Sequence, residues 1–131
     1  MKTIEGNKLI AEFMGLELAD KKYPSDGYWI SLHLPMFTDS DMTEWADTRN
    51  GMIRIPRSQL KYHSSWDWLM PVVEKIESLG YNTQIHFDLF MVGDKDSLRN
   101  VTETSASPKI MSIWYGVIAF IEWYNEQSKE G

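Results

Sequence analysis

The segment that most constrains this chain is its last, "SPKIMSIWYGVIAFIEWYNEQ" (107–127). Ser107-Pro108 reads as a helix cap followed by a proline at the first helical position, where a missing N–H costs nothing. Ile110, Trp114, Val117, Ile118 and Ile121 then form a core stripe at helical spacing. Ile113, Phe120, Trp123 and Tyr124 carry apolar surface well beyond that stripe. A helix that is apolar around more than one face needs cover on more than one side. One cover can be a sheet; the other comes from residues of the segment 36–50 or from a second molecule. Tyr115, Phe120 and Trp123 are therefore the candidate binding residues, for a homodimer or another protein, with Gly116 allowing close approach.

Upstream, the periodicities alternate between helical and extended. A helix is expected from Thr3 to Met14, with Ile10, Phe13 and Met14 inward, Gly6 weakening its first turn, and Gly15 as a left-handed stop before Leu16. "YWISLHL" (28–34) alternates Tyr28, Ile30, Leu32 and Leu34 with Trp29, Ser31 and His33, the period of a strand that Pro35 ends. "GMIRI" (51–55) is a second strand, opened by the turn pair Asn50-Gly51 and closed by Pro56. The segment between them is expected to hold a helical turn or two, with Met42, Trp45 and Ala46 inward.

"YHSSWDWLMPVVEKIESLGY" (62–81) is the clearest helix. Ser64 and Asp67 have capping-box spacing, and Trp66, Leu69, Val73, Ile76 and Leu79 form the expected stripe. Pro71 removes the bond to the Asp67 carbonyl and predicts a kink; Gly80 stops the helix, with Tyr81 near Ile76. "NTQIHFDLFMV" (82–92) reads as one strand, with Ile85, Phe87, Leu89 and Met91 on one face and Gln84, His86 and Asp88 on the other. "SLRNVTET" (97–104) is a fourth. The order α-β-β-α-β-β-α predicts an α+β helix–sheet sandwich on one mostly antiparallel sheet, with residues 1–131 as a single domain.

The segments "NKLIAEFMGLE" (7–17), 62–81 and "VIAFIEWYNEQ" (117–127) resemble the phage ABA-sandwich domain family. Met14-Gly15, Ser64 to Trp68 and Trp123-Tyr124 carry the resemblance, over about a third of the chain. It implies a helix–sheet sandwich of phage or mobile-element origin and brings no catalytic residues. Residues 36–60 find no counterpart and read as an insertion.

Composition narrows the function. Net charge is −6 with no dense cluster of Lys and Arg, so no face suits a nucleic-acid backbone. With no cysteine, thiol chemistry, disulfides and Cys-held metals are excluded. The N-terminus has no leader pattern and no apolar run is long enough to span a bilayer, so a cytoplasmic protein without membrane contact is expected. Residues 39–50 imitate a calcium loop but place Glu44 where the turn glycine belongs and Asn50 where a bidentate glutamate belongs. His63, Ser64, Ser65 and Asp67 contain the members of a catalytic triad, yet lie adjacent, and no nucleophile elbow or phosphate loop is present.

The expectation is thus a phage or mobile-element accessory protein that binds a protein or itself, with no catalysis, metal or cofactor. The alternative is a nucleotide-like small-molecule binder or metal-dependent hydrolase. It would use His86 and Asp88, with His33 or His63 as a further ligand and a tryptophan stacking on the ring.

Overall fold

A computed structural model describes residues 3–18, 27–31, 34, 37, 48–94 and 100–130. His33, the acidic segment 39–47 and the inward residues expected there lie outside the described residues. The chain is α+β, as expected, but it divides into two compact units, 1–61 and 62–131. Each unit carries its own antiparallel sheet, in place of the single expected sheet.

In the first unit, helix α1 (Thr3–Phe13) buries Gly6, Asn7, Ile10 and Ala11. Phe13 and Met14, expected inward, are only half-buried. The buried stripe starts one turn earlier because Asn7 is satisfied inside: its Nδ2 donates to the Leu60 carbonyl at 2.9 Å. Gly15 ends the helix at φ +76. Its N–H bonds to Glu12 O and that of Leu16 to Ala11 O, each at 3.0 Å, the paired bonds of a Schellman motif.

The sheet of this unit has the order β1-β2-β4-β3, with β1 Glu17–Leu18, β2 Gly27–Ser31, β3 Thr48–Arg49 and β4 Met52–Pro56. Tyr28, Trp29 and Ile30 are all buried, so β2 is covered on both faces and does not alternate. Leu34 lies beyond the strand and is 38% exposed. Asn50 and Gly51 both have positive φ, 49° and 75°, and Arg49 pairs directly with Met52. This is a two-residue hairpin of the I′ kind, whose first arm, β3, the sequence reading missed. Strand β4 lies between β2 and β3 with Ile53 and Ile55 fully buried, so this segment supplies part of the core of its unit.

The second unit contains helix α2 (Trp66–Ser78), strands β5 (Asn82–His86), β6 (Leu89–Gly93) and β7 (Asn100–Ser105), and helix α3 (Lys109–Glu130). The N-cap of α2 is Ser65, one residue later than expected, with extended backbone and no side-chain capping bond. The third helical position is then Trp68, so Asp67 cannot complete a capping box. Leu69, Val73 and Ile76 are buried as expected, joined by Trp68 and Val72, while Trp66 and Leu79 are 42% and 39% exposed. The helix continues through Pro71 and stops at Gly80, where φ is +99 and the N–H bonds to Glu77 O at 3.0 Å.

The segment 82–92, expected as one strand, is a hairpin. His86 pairs with Leu89 across a two-residue turn of Phe87 and Asp88, with Phe87 at φ +57. Paired residues share a sheet face, so the turn inverts the expected alternation. Gln84 and His86 lie on the face of Met91 and Leu89, and Ile85 on that of Phe90 and Thr104. Phe90 and Val92 are the fully buried residues of β6.

Helix α3 starts at Lys109, with Pro108 ahead of it and its carbonyl accepting from the Met111 N–H at 2.9 Å. It lies close against β6 and β7 at Gly116. A Cβ there would enter the Phe90 ring and come 2.6 Å from Thr104 Oγ1. Thr104 uses that closeness, donating to the Ser112 carbonyl at 2.7 Å. Ser112, itself fully buried, donates to Lys109 O at 2.7 Å. Among the described residues the buried Thr102 hydroxyl finds no hydrogen-bond partner.

Gly116→Ala should lower unfolding free energy by about 1–3 kcal/mol through overpacking, read from urea denaturation. Thr102→Val removes an unpartnered hydroxyl and should raise stability by about 1 kcal/mol. Ser64→Ala should stay within about 0.5 kcal/mol of the parent, whereas a true cap would cost about 0.5–2 kcal/mol.

Candidate functional site

The residues singled out on α3 are not on one open face. Phe120 is fully buried, Trp123 half-buried, and only Tyr115 is exposed, at 43%. Ile113, the other surplus apolar residue, is also fully buried. The side chain that absorbs much of the surplus is Tyr81, just past the Gly80 stop. Its ring meets Phe120 edge-on at 4.9 Å, Trp123 at 5.9 Å and Tyr124 at 6.4 Å. Phe120 also stacks on Tyr124 at 5.6 Å. Tyr81 therefore packs against α3, and Phe120, fully buried, offers nothing to an outside partner.

A second feature was not visible in the sequence. Thr102 pairs with Val92 but Asn100 pairs with Gly93, which leaves Val101 as an extra residue in β7. Such a bulge breaks the alternation and re-aims the side chains beside it. Val101 lines a cleft of about 260 Å³ together with Asp94, Asn100 and Trp123. Next to it lies a hollow of about 30 Å³ bounded by Asn82, Gln84, Met91, Gly93, Asp94 and Asn100. The two share Asp94 and Asn100, but Asn82, Gln84, Met91 and Gly93 lie on the sheet face opposite Phe90, the residue packed under α3.

The smaller hollow is bounded by three side-chain amides. Among the described residues Asn100 Nδ2 donates to the Met91 thioether, at 3.5 Å, a weak acceptor. Asp94 also acts on the aromatic cluster: burial pushes the Tyr81 phenol up, with Tyr124 and the Asp94 carboxylate adding to the rise.

The third feature is the hairpin tip. Phe87 is 77% exposed and Ile85 41%. The His86 ring stands edge-on to Phe87 at 4.6 Å. The Asp88 carbonyl accepts from the Ala106 N–H at 3.2 Å, which braces the turn. A phenylalanine at positive φ is uncommon, and such outliers cluster at functional positions.

His86 and Asp88 do not share a strand face, because the turn falls between them. Among the described residues no three His, Asp or Glu side chains gather to hold a metal ion. His63 packs edge-on to Trp114 at 6.4 Å, and desolvation by burial lowers its pKa. Ser64 and Ser65 occupy the turn and cap ahead of α2. No helix among the described residues is long and apolar enough to cross a membrane. No protein family, curated protein or solved structure matches the chain.

The two shifted groups set opposite pH limits. His63 is held below its ordinary pKa of 6.5, so its contribution is present above that value and lost as the pH falls through the folded pKa. Tyr81 is held above 10.0, so its contribution is present below that value and lost as the pH rises through the folded pKa. Urea midpoints should fall at both ends, and Tyr81→Phe should flatten the alkaline fall alone.

Proposed function

We propose that the protein works without chemistry of its own, as a binding module that associates with a second copy through the open edge of β5. The observation that supports this is an unguarded edge strand. Among the described residues β5 pairs only with β6, and four of its five residues are exposed. Its sequence, Asn-Thr-Gln-Ile-His, contains no Lys, Glu or Pro, and the irregularity in this sheet lies between β6 and β7. These are the devices by which solitary edges are normally protected. A row of free backbone donors and acceptors is complementary to another extended strand, and two-fold symmetry lets β5 supply that strand to itself. Centred on Gln84, the antiparallel pairing sets Asn82 against His86 and Thr83 against Ile85. The exposed rings of the hairpin tip flank the seam. An accessory role in a phage or mobile element, implied by the resemblance of the helical segments, belongs to the same reading.

Sedimentation velocity tests it. The parent chain should dimerise with rising concentration, and Ile85→Lys should hold it monomeric without unfolding it. Phe87→Gly carries opposite signs. It should stabilise the fold by about 1 kcal/mol by relieving the left-handed aromatic, yet weaken association. A parent chain that stays monomeric at high concentration overturns the proposal.

A further inference from the structure

We infer that Asn50-Gly51, the turn between β3 and β4, is a self-modification site: the chain deamidates there, and the conversion releases the β3 arm. The site lies in the first unit and is independent of self-association through β5.

The reaction needs only this chain and water. The Gly51 backbone nitrogen gives up its proton and attacks Cγ of the Asn50 side chain. A C–N bond forms, the bond from Cγ to Nδ2 breaks, and ammonia leaves with that proton. Water then opens the five-membered succinimide. Attack at Cγ gives aspartate; attack at the main-chain carbonyl gives isoaspartate, in which the backbone runs through the side-chain carbons. Nothing is oxidised or reduced. One side-chain amide and one water become one carboxylic acid and one ammonia.

Asparagine is among the labile residues, and the residue that follows it governs how readily its ring closes. No other asparagine of this chain precedes a glycine. Glycine has no Cβ to obstruct the approach of its own nitrogen. Asn50 and Gly51 are both exposed, so water reaches the ring. Among the described residues the Gly51 N–H donates to no backbone oxygen. The other asparagines are held differently. Asn7 is buried, with its amide bonded to the Leu60 carbonyl. Asn82 and Asn100 open strands ahead of the β-branched Thr83 and Val101, and Asn125 lies within α3.

Closing the ring requires the Asn50 backbone to rotate, so the turn must first open. The arm is weakly held for that purpose. Two register pairs, Thr48 with Ile53 and Arg49 with Met52, join β3 to β4, against five between β4 and β2. Among the described residues β3 is the last strand on its side of the sheet. Short terminal elements of this kind open at little free-energy cost. Isoaspartate then makes the opening permanent. Its extra backbone carbon lengthens a loop whose closure depends on two ordinary residues at positive φ, the values of 49° and 75° seen here. Strand β4 stays in the core through Ile53 and Ile55, but its edge toward β3 is uncovered.

The test holds the whole chain at mildly alkaline pH and maps its peptides over time, with fragmentation that separates isoaspartate from aspartate. Residue 50 should convert at a rate within about tenfold of that in urea, because so short an arm opens readily. Asn7, Asn82, Asn100 and Asn125 should stay intact. In NMR spectra the isoaspartate form should lose the contact between Thr48 and Ile53 and keep that between Ile30 and Ile53. Asn50→Gly, which preserves a turn of the same kind, should keep both contacts throughout. The inference fails if Asn50 converts in urea but not in the folded chain, or if another asparagine converts first. It fails equally if the isoaspartate form retains the contact between Thr48 and Ile53.

Discussion

The second unit depends on one close approach. At Gly116 helix α3 comes near enough to the sheet for the Phe90 ring and Thr104 Oγ1 to occupy the space a side chain would take. Everything near it is placed by that distance. Thr104 can reach the Ser112 carbonyl only because the helix backbone is so near. Phe90 and Val92 are fully buried under it. Two turns further along, the same helix holds Trp123 in reach of both Tyr81 and the cleft beside the bulge. Gly116 matters for its missing volume, since no unusual backbone angle is required of it.

That contact also accounts for the aromatic excess of α3. A stripe at 3.6 residues per turn leaves side chains over when only one neighbour is counted. In the structure the end of α2 supplies another neighbour, because Gly80 turns the chain so that Tyr81 meets three rings of α3. Edge-to-face aromatic pairs are worth about 0.5–1.5 kcal/mol beyond the area they bury. A cluster of this kind satisfies surfaces that looked as though they required a partner molecule.

The sequence was legible where local chemistry is specific. Gly15 and Gly80 mark their helix ends because few other residues accept a left-handed angle after a helix. Asn50-Gly51 marks a turn for the same reason, although its two-residue arm β3 is too short to have a period. Phe87-Asp88 was opaque: the left-handed angle falls on Phe87, which does not favour it, Asp88 alone is a weak turn signal, and the apolar alternation runs unbroken across both. In α2 the period picks out Leu69, Val73 and Ile76, but the buried face is centred nearer Trp68 and Val72, which leaves Trp66 and Leu79 exposed. The hollow and the cleft could not be read at all. Their residues come from separate strands and from α3, and the bulge beside them is a matter of register between strands.

The bond from Asn7 to Leu60 bears on how the chain folds. It joins residues 53 apart, almost the whole length of the first unit. Closing so large a loop costs entropy before any contact repays it. In the second unit the strands follow one another through β5, β6 and β7 and the helix that covers them comes next in the chain. Local order of this kind favours rapid collapse, and distant pairing delays it. Residues 62–131 are thus placed to organise first, while α1 waits for the end of its own unit to be in place before the Asn7 amide has an acceptor.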